Sequence, residues 1–248
     1  MNILLALLIS TLAGLSTVLG SLVIFIRVKE SSVNKFITFS LSFSLAIMIG
    51  ISITDLIPES FYTLVFKYGL NKSLLTLLFT LLSGVGIVNI LNRLEDKNKN
   101  NLYRLGIINM VALMIHNFPE GIATFLSSMN DINLGIKLSI AIMLHNIPEG
   151  IAIAVPIYYG TKSKSTAIKN TFISGLSEPL GAVLAYIVLG SFVTKEIISI
   201  VLLFVAGIMI ALSINKLLPT ALEYKCNKYI SLGIVIGVLF LIVSLLVN

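Results

Sequence analysis

Charged residues are scarce in this sequence. The 248 residues include 17 basic and 11 acidic ones, so only 11% are charged, whereas a soluble globular domain carries about 25%. Hydrophobic residues make up 57% of the chain, and its mean hydropathy is +1.03. Such a chain cannot cover a surface that faces water, which excludes a soluble enzyme and a soluble nucleic-acid-binding domain. The composition predicts an integral membrane protein surrounded by the lipid bilayer.

Three other features are missing from the sequence. Cys226 is the only cysteine, which excludes an intrachain disulfide. No GxxxxGK segment followed by Ser or Thr occurs, so we do not expect this chain to use ATP directly. No basic segment precedes the first apolar run, which predicts a retained helix at the N-terminus rather than a cleaved signal peptide.

Apolar runs long enough to cross a membrane fill the chain, since a spanning helix needs about 20 residues. We number them spans 1 to 8, and they cover residues 2–26, 36–66, 72–92, 105–128, 134–159, 167–190, 196–222 and 229–247. The breaks between spans are short and polar, and no linker divides the chain. The sequence therefore predicts an all-α integral membrane protein with eight transmembrane helices in a single domain, residues 1–248.

The basic residues are unevenly distributed between the two ends of the spans. The connections between spans 1 and 2, 3 and 4, 5 and 6, and 7 and 8, with the adjoining helix ends, hold 13 of the 17. The opposite ends hold four, Lys67, Lys72, Lys137 and Lys195. The positive-inside rule places the first set in the cytoplasm and both termini outside. This asymmetry accounts for the net charge of +6, and no nucleic acid partner is expected.

Two pairs of spans contain repeated segments. Residues 112–125, ALMIHNFPEGIATF, and residues 141–154, AIMLHNIPEGIAIA, are identical at nine of fourteen positions with an offset of 29. Residues 47–58 and 208–219 match more weakly with an offset of 161. Spans 4 and 5 are predicted to run in opposite directions, as are spans 2 and 7, so both matches predict inverted repeats. Secondary transporters with such repeats bind their substrates near the membrane midplane.

The repeated motif places uncommon polar residues near the middle of three spans. They are His116, Asn117 and Glu120 in span 4, His145, Asn146 and Glu149 in span 5, and Glu178 in span 6. A charged carboxylate at the centre of a spanning helix costs roughly 2.5–3.5 kcal/mol. Spans 4, 5 and 6 contain no Lys or Arg at that depth. A bound cation is the simplest source of the missing positive charge.

The types of side chain indicate which cation this is. His and Glu at positions i and i+4 lie on one helical face. Imidazole, carboxylate and amide groups without a thiolate favour Zn²⁺ and its neighbours Fe²⁺, Mn²⁺, Co²⁺ and Cd²⁺, and disfavour Cu⁺. We expect this metal to be a transported substrate, with no catalytic cofactor. Asp55 and Glu59, near the predicted outer end of span 2, would gather cations at the entry, although a solvated helix end explains them too.

The motifs HNFPEG, HNIPEG and SGLSEPLG, in spans 4, 5 and 6, resemble those of the Zrt/Irt-like (ZIP) divalent metal transporters, in particular their bacterial ZupT branch. The resemblance extends over essentially the whole chain and implies a binuclear site. The first metal would be held by His116, Glu120, His145 and Glu149, with Met48 from span 2 nearby. The second would be held by Asn117, Asn146 and Glu178, with Glu120 and Glu149 bridging the two.

The same resemblance implies import of Zn²⁺, and often of Fe²⁺, Mn²⁺ or Co²⁺, across the plasma (inner) membrane into the cytoplasm. Family members are commonly homodimers, and an elevator-like movement of one helix bundle is proposed for them. Two alternatives stay open at this point. A metal-selective channel would use the same ligands. An intramembrane metalloprotease would need HExxH, but Asn117 and Asn146 stand where its glutamate would be, so we do not expect an enzyme.

Overall fold

The computed structural model describes residues 3–93, 101–188 and 194–247, and over these residues the chain is helical with short connections. The helices are α1 (Ile3–Ser21), α2 (Val33–Ile51), α3 (Ile57–Tyr68), α4 (Leu70–Arg93), α5 (Asn101–Asn130), α6 (Ile132–Thr161), α7 (Lys164–Gly175), α8 (Ser177–Val188), α9 (Lys195–Leu212), α10 (Leu218–Glu223) and α11 (Asn227–Val247). This part of the chain contains no strand. The prediction of an all-α fold is therefore confirmed.

Seven segments of the described chain are long and apolar enough to cross a membrane, as predicted for spans 1 to 5, 7 and 8. They are Ile3–Phe25, Glu30–Tyr68, Leu70–Ile90, Leu102–Met129, Gly135–Thr161, Lys195–Glu223 and Asn227–Leu245. Span 6 corresponds to α7 and α8, which are 12 residues each and are separated at Leu176. A helix break at membrane depth is tolerated where protein surrounds it, and Ser174, Gly175 and Ser177 around this break are buried. The chain is a multi-pass membrane protein.

Spans 2 and 7 each contain a single turn of π-helix that their apolar pattern did not predict. The two π-turns cover Ser52–Leu56, between α2 and α3, and Ser213–Leu217, between α9 and α10. They lie at the same offset of 161 as the weaker repeat, and Pro58 and Pro219 follow them at equivalent positions. A π-turn inserts one residue into a helix and often lies at a functional site. Here the turns change which faces of α3 and α10 point towards the protein interior.

The helices pack in two groups. One group contains α1, α5, α6, α7 and α8, and the other contains α2, α3, α4, α9, α10 and α11. The groups meet chiefly where α2 packs against α6 and where α5 packs against α9. The residues of the repeated motif lie on α5 and α6, inside the first group and next to its contact with the second.

The outer surface of the helices is strongly apolar. Phe66 is 87% exposed, Phe79 is 74% exposed and Leu82 is 66% exposed. Large contiguous apolar surfaces are rare on proteins that face water, whereas hydrocarbon chains solvate them well. The polar side chains of α5 and α6 that the motif contributes are buried instead. The protein therefore has an apolar exterior and polar groups in its interior, as expected for a protein in a bilayer.

Candidate metal centre

Glycine in each copy of the motif determines how closely the neighbouring helices approach the polar residues. A methyl group at Gly121 on α5 would overlap the backbone of Glu178 on α8. A methyl group at Gly150 on α6 would overlap the carbonyl group of Thr17 on α1. Small residues allow such backbone contacts between membrane helices. The close approach brings the first turn of α8, with Glu178, directly against the motif of α5.

All seven candidate ligands are buried. His116, Asn117, Asn146, Glu149 and Glu178 are 0% exposed, and Glu120 and His145 are 5% exposed. α5 and α6 run side by side and contribute three of these residues each, and α8 contributes Glu178. The structure thus brings together residues that the sequence places up to 62 positions apart.

Histidine and glutamate side chains form the centre of this cluster. The Nε2 atom of His116 lies 3.2 Å from Oε1 of Glu120 and 3.4 Å from Oε1 of Glu149. The Nε2 atom of His145 lies 3.2 Å from the same Oε1 of Glu120. Ligand atoms of His116, Glu120 and His145 all lie within 4.8 Å of one another. This spacing lets a single metal ion contact all three groups.

The asparagines connect this centre to the third glutamate. With its amide oriented to donate, Asn117 Nδ2 lies 3.2 Å from Oε2 of Glu149. Glu149 therefore faces His116 with one carboxylate oxygen and Asn117 with the other. Asn146 donates hydrogen bonds to Oε1 of Glu178 and, at 2.9 Å, to the carbonyl oxygen of Ala13. Asn117 is thus joined to the centre through Glu149, and Asn146 is joined to Glu178.

Several polar atoms in the cluster have no hydrogen-bond partner among the residues that the structure describes. They are Nδ1 and Nε2 of His116, Oε2 of Glu120, Oε1 of Glu149, Oδ1 of Asn146 and Oε2 of Glu178. The two close contacts of His116 bring nitrogen and oxygen together without hydrogen-bond geometry. A buried polar atom without a partner costs roughly 1–3 kcal/mol, and a buried unpaired charge costs more. A divalent cation held by imidazole and carboxylate groups would satisfy these atoms together.

A cavity of about 590 Å³ leads from this cluster to one end of the molecule. Glu120 and His145 line its inner part, and Thr63 and Lys195 line its outer part. Its mouth lies at the end that carries few basic residues, where Lys67 of α3 forms an ion pair of 3.9 Å with Glu196 of α9. Towards the opposite end, the space between α5 and α6 is filled by Asn109, Leu113 and Ala152, which are all 0% exposed.

The predicted accessory residues differ in their placement. Asp55 and Glu59 both line the cavity, and their role at the entry stays a prediction. Met48 is 0% exposed and belongs to the apolar core with Ile51 and Met209, and it does not line the cavity. Its proximity to the metal stays a prediction from the family resemblance.

Sequence reasoning missed several residues that line the cavity, among them Ser60, Thr63 and Lys195. Ser60 and Thr63 lie there with Asp55 and Glu59, and the spacing of residues 55, 59 and 63 along one helical face is a signal that would have indicated Thr63. Lys195 was counted only for membrane orientation, and the sequence alone does not show that it faces the cavity. The carbonyl group of Ala13, which accepts from Asn146, has no sequence signal because every residue carries a carbonyl group.

Comparisons with known proteins show which family this chain belongs to. A family model described as "ZIP Zinc transporter" matches residues 92–245. The protein named zinc transporter ZupT of Oceanobacillus iheyensis is 38% identical over 265 aligned positions, which cover 99% of this chain and 98% of that protein. The zinc transporter ZupT of Chlorobium chlorochromatii is 36% identical over 264 positions, with 99% and 98% covered. That of Chlorobium luteolum is 41% identical over 259 positions, with 97% of each covered. The chain, which shares with these relatives almost its entire length, therefore belongs to the ZIP family of metal transporters.

Proposed function

We propose that this chain is a secondary transporter that carries divalent metal cations, chiefly Zn²⁺ and also Fe²⁺, Mn²⁺, Co²⁺ and Cd²⁺, into the cytoplasm. The observation that carries this proposal is the buried His116–Glu120–His145 group at the inner end of a cavity that leads to one end of the protein. The relatives named zinc transporters support Zn²⁺ as the main substrate. The resemblance to the family also predicts a homodimer in the plasma (inner) membrane.

We infer that two metal ions occupy neighbouring positions. His116, Glu120, His145 and Glu149 would hold the first ion, and Asn117, Asn146 and Glu178 would hold the second. Glu149 supports this arrangement because its two carboxylate oxygens face His116 and Asn117 separately. Glu120 would be the other bridging carboxylate. Ligands that bind metal must be deprotonated, so protons would compete with the metal for these sites.

The repeats are inverted in this proposal, and the cavity faces the outside. The ion pair between Lys67 and Glu196 supports inversion, because it brings the end of span 2 beside the start of span 7. The cavity mouth lies at the end with four basic residues, which the positive-inside rule assigns to the exterior. In span 7 the counterparts of the lining residues Leu56 and Ser60 are Leu217, at the end of the second π-turn, and Ala221 on α10, and both are 0% exposed. A cavity that leads to one end favours a carrier, since a channel needs a continuous path.

Uptake by vesicles that contain the purified protein tests this function. We expect radioactive Zn²⁺ to accumulate at a rate that saturates as external Zn²⁺ is raised, with competition from Fe²⁺, Mn²⁺, Co²⁺ and Cd²⁺. A pH-sensitive dye inside the same vesicles would report any proton movement coupled to the metal. Absence of Zn²⁺ uptake in vesicles with correctly folded protein would contradict the proposal. A rate that rises linearly without saturation would instead support the channel alternative.

The acidic residues of the cavity are expected to control the apparent affinity. Replacing both Asp55 and Glu59 by Asn and Gln removes negative charge from the entry path, and charged clefts concentrate ions of opposite sign. We expect KM for Zn²⁺ to rise on the order of 10-fold at low ionic strength, with a smaller change in kcat. Since salt screens such effects, the difference should shrink at high salt.

A variant that removes a positive charge from the cavity is the matched control for this double variant. Lys195 lines the same cavity, so Lys195→Gln should lower KM for Zn²⁺. Equal KM values for the wild type, the double variant and Lys195→Gln would show that the cavity is not the entry path.

A further inference from the structure

A groove lies between α2 and α11 at the end of the molecule that is rich in basic residues. Its volume is about 280 Å³, and Ser32, Lys35, Phe36, Phe39, Tyr229 and Leu232 line it. Gly233 on α11 would place a methyl group against the carbonyl group of Phe39 on α2, so the two helices touch deeper in the membrane. The groove lies beside this contact, where the larger side chains of the two helices separate.

The lining of the groove changes from polar to apolar along its length. The polar side chains of the groove are Ser32, which directly precedes α2, Lys35, which lies in the first turn of α2, and the hydroxyl group of Tyr229. The Lys35 Nζ atom lies 5.8 Å from the centre of the Tyr229 ring. Phe36 and Phe39 follow along α2 towards the membrane interior, and Leu232, which is 43% exposed, follows along α11. An amphiphile with an anionic head and an apolar tail matches this order of side chains.

Neighbouring aromatic contacts hold the apolar wall in place. The Phe36 ring lies 6.1 Å from that of Tyr159 on α6. Phe39 stacks on Phe43 at 6.1 Å, and Phe43 meets Phe240 of α11 edge-on at 5.8 Å. Such contacts stabilise each pair beyond the burial of area. The apolar wall of the groove is thus held by contacts between side chains of α2, α6 and α11.

The surrounding charge is favourable for an anion. Between residues 27 and 35 the sequence contains Arg27, Lys29 and Lys35 and one acid, Glu30. Lys228 is exposed on α11, directly before Tyr229. Basic pockets between membrane helices on the cytoplasmic side bind anionic lipid head groups, and each basic residue near the surface contributes about 1 kcal/mol of attraction. A soluble anion would gain the charge of Lys35 but would leave the apolar wall uncovered.

We propose that this groove binds an anionic phospholipid, with its phosphate group on Lys35 and one acyl chain along Phe36, Phe39 and Leu232. The lipid would bridge α2 and α11 at the cytoplasmic surface of the second helix group. This inference concerns a site remote from the metal ligands and is independent of the transport activity.

A tryptophan placed in the groove tests this site directly. The chain contains no tryptophan, so Tyr229→Trp introduces a single fluorophore with the amphipathic character of tyrosine. The protein is reconstituted in phosphatidylcholine vesicles that contain equal fractions of either brominated phosphatidylglycerol or brominated phosphatidylcholine, since bromine quenches tryptophan on contact. We expect the anionic brominated lipid to quench roughly 5-fold more strongly, which is the ratio that about 1 kcal/mol from one basic residue predicts.

Charge variants in the Tyr229→Trp background show whether Lys35 causes the preference. Lys35→Ala should make the two brominated lipids equally effective, and Lys35→Arg should retain the preference. Lys29→Ala is the matched control, since Lys29 lies at the same surface but does not line the groove, and it should reduce the preference far less than Lys35→Ala does. Circular dichroism verifies that each variant is folded.

Three results would overturn the proposal. The first is equal quenching by both lipids while Lys35 is present. The second is a preference that survives Lys35→Ala, or one that Lys29→Ala removes to the same extent, because either would reflect the general surface potential. The third is loss of the preference on addition of millimolar glycerol phosphate, which would indicate a site for a soluble anion.

Discussion

Replacing Glu120 by alanine is expected to abolish Zn²⁺ uptake in reconstituted vesicles. Glu120 Oε1 lies 3.2 Å from the Nε2 atoms of both histidines, so its removal takes away the carboxylate that His116 and His145 share. Residues that only support metal ligands change affinity or activity by 10- to 100-fold, and loss of a shared ligand should exceed about 100-fold. His116→Ala should have a comparable effect.

The rise in unfolding temperature on addition of Zn²⁺ distinguishes a variant that has lost the metal site from one that has lost its fold. A ligand that binds only the folded state raises its stability, so Zn²⁺ should raise the unfolding temperature of the wild type. The same addition should not change the unfolding temperature of Glu120→Ala. Removing one partner of a buried ion pair lowers stability by itself, so circular dichroism first verifies that this variant is folded. Glu30→Ala is the matched control, because Glu30 is exposed in a connection. Wild-type uptake by Glu120→Ala would show that the metal binds elsewhere.

Replacing Gly121 by alanine is expected to destabilise the protein and to impair transport. The added methyl group would overlap the backbone of Glu178, and backbone atoms cannot rotate away as a side chain can. Overpacking costs typically 1–3 kcal/mol, and we expect the upper part of that range. The shift of α8 would also separate Glu178 from Asn146. In chains of 150–250 residues 1 kcal/mol corresponds to roughly 2–4 °C in Tm, so a decrease of several degrees should be measurable.

Gly86→Ala is the control for this effect. Gly86 lies within α4, and a methyl group there would meet no atom within 4 Å. Alanine favours a helix over glycine by roughly 0.5–1 kcal/mol, so Gly86→Ala should leave the unfolding temperature unchanged or raise it slightly. Equal unfolding temperatures for Gly121→Ala and Gly86→Ala would mean that α5 and α8 do not depend on the close approach at Gly121.

The sequence predicted the helices well because their length and apolarity are local properties. Span 5, predicted over residues 134–159, is found as Gly135–Thr161, and span 1, predicted over residues 2–26, is found as Ile3–Phe25. The π-turns at Ser52–Leu56 and Ser213–Leu217 were not predicted. Both turns lie within longer apolar runs, at residues 36–66 and 196–222, so the hydropathy of the whole run hides a change of helical period over five residues.

Some of the candidate site follows from spacing within a helix, and the rest depends on how the helices are placed. His116 and Glu120 are four residues apart, so a helix alone brings them onto one face. Asn146 and Glu178 are 32 residues apart on different helices, and their hydrogen bond requires the close approach of α8. No rule based on sequence alone predicts how α8 is rotated or how close it lies to α6.

The sequence by itself determined that this protein lies in a membrane, that it is helical, and that its few interior charges suit a cation. These properties depend on composition and on the spacing of residues in one helix, where transfer free energy and helical geometry leave few alternatives. Only the tertiary structure decided that Glu149 faces His116 and Asn117 with separate oxygens, that Lys195 lines the cavity, and that the cavity leads to one end. Those properties arise from the packing of helices, in which small residues such as Gly121 determine how closely two backbones approach.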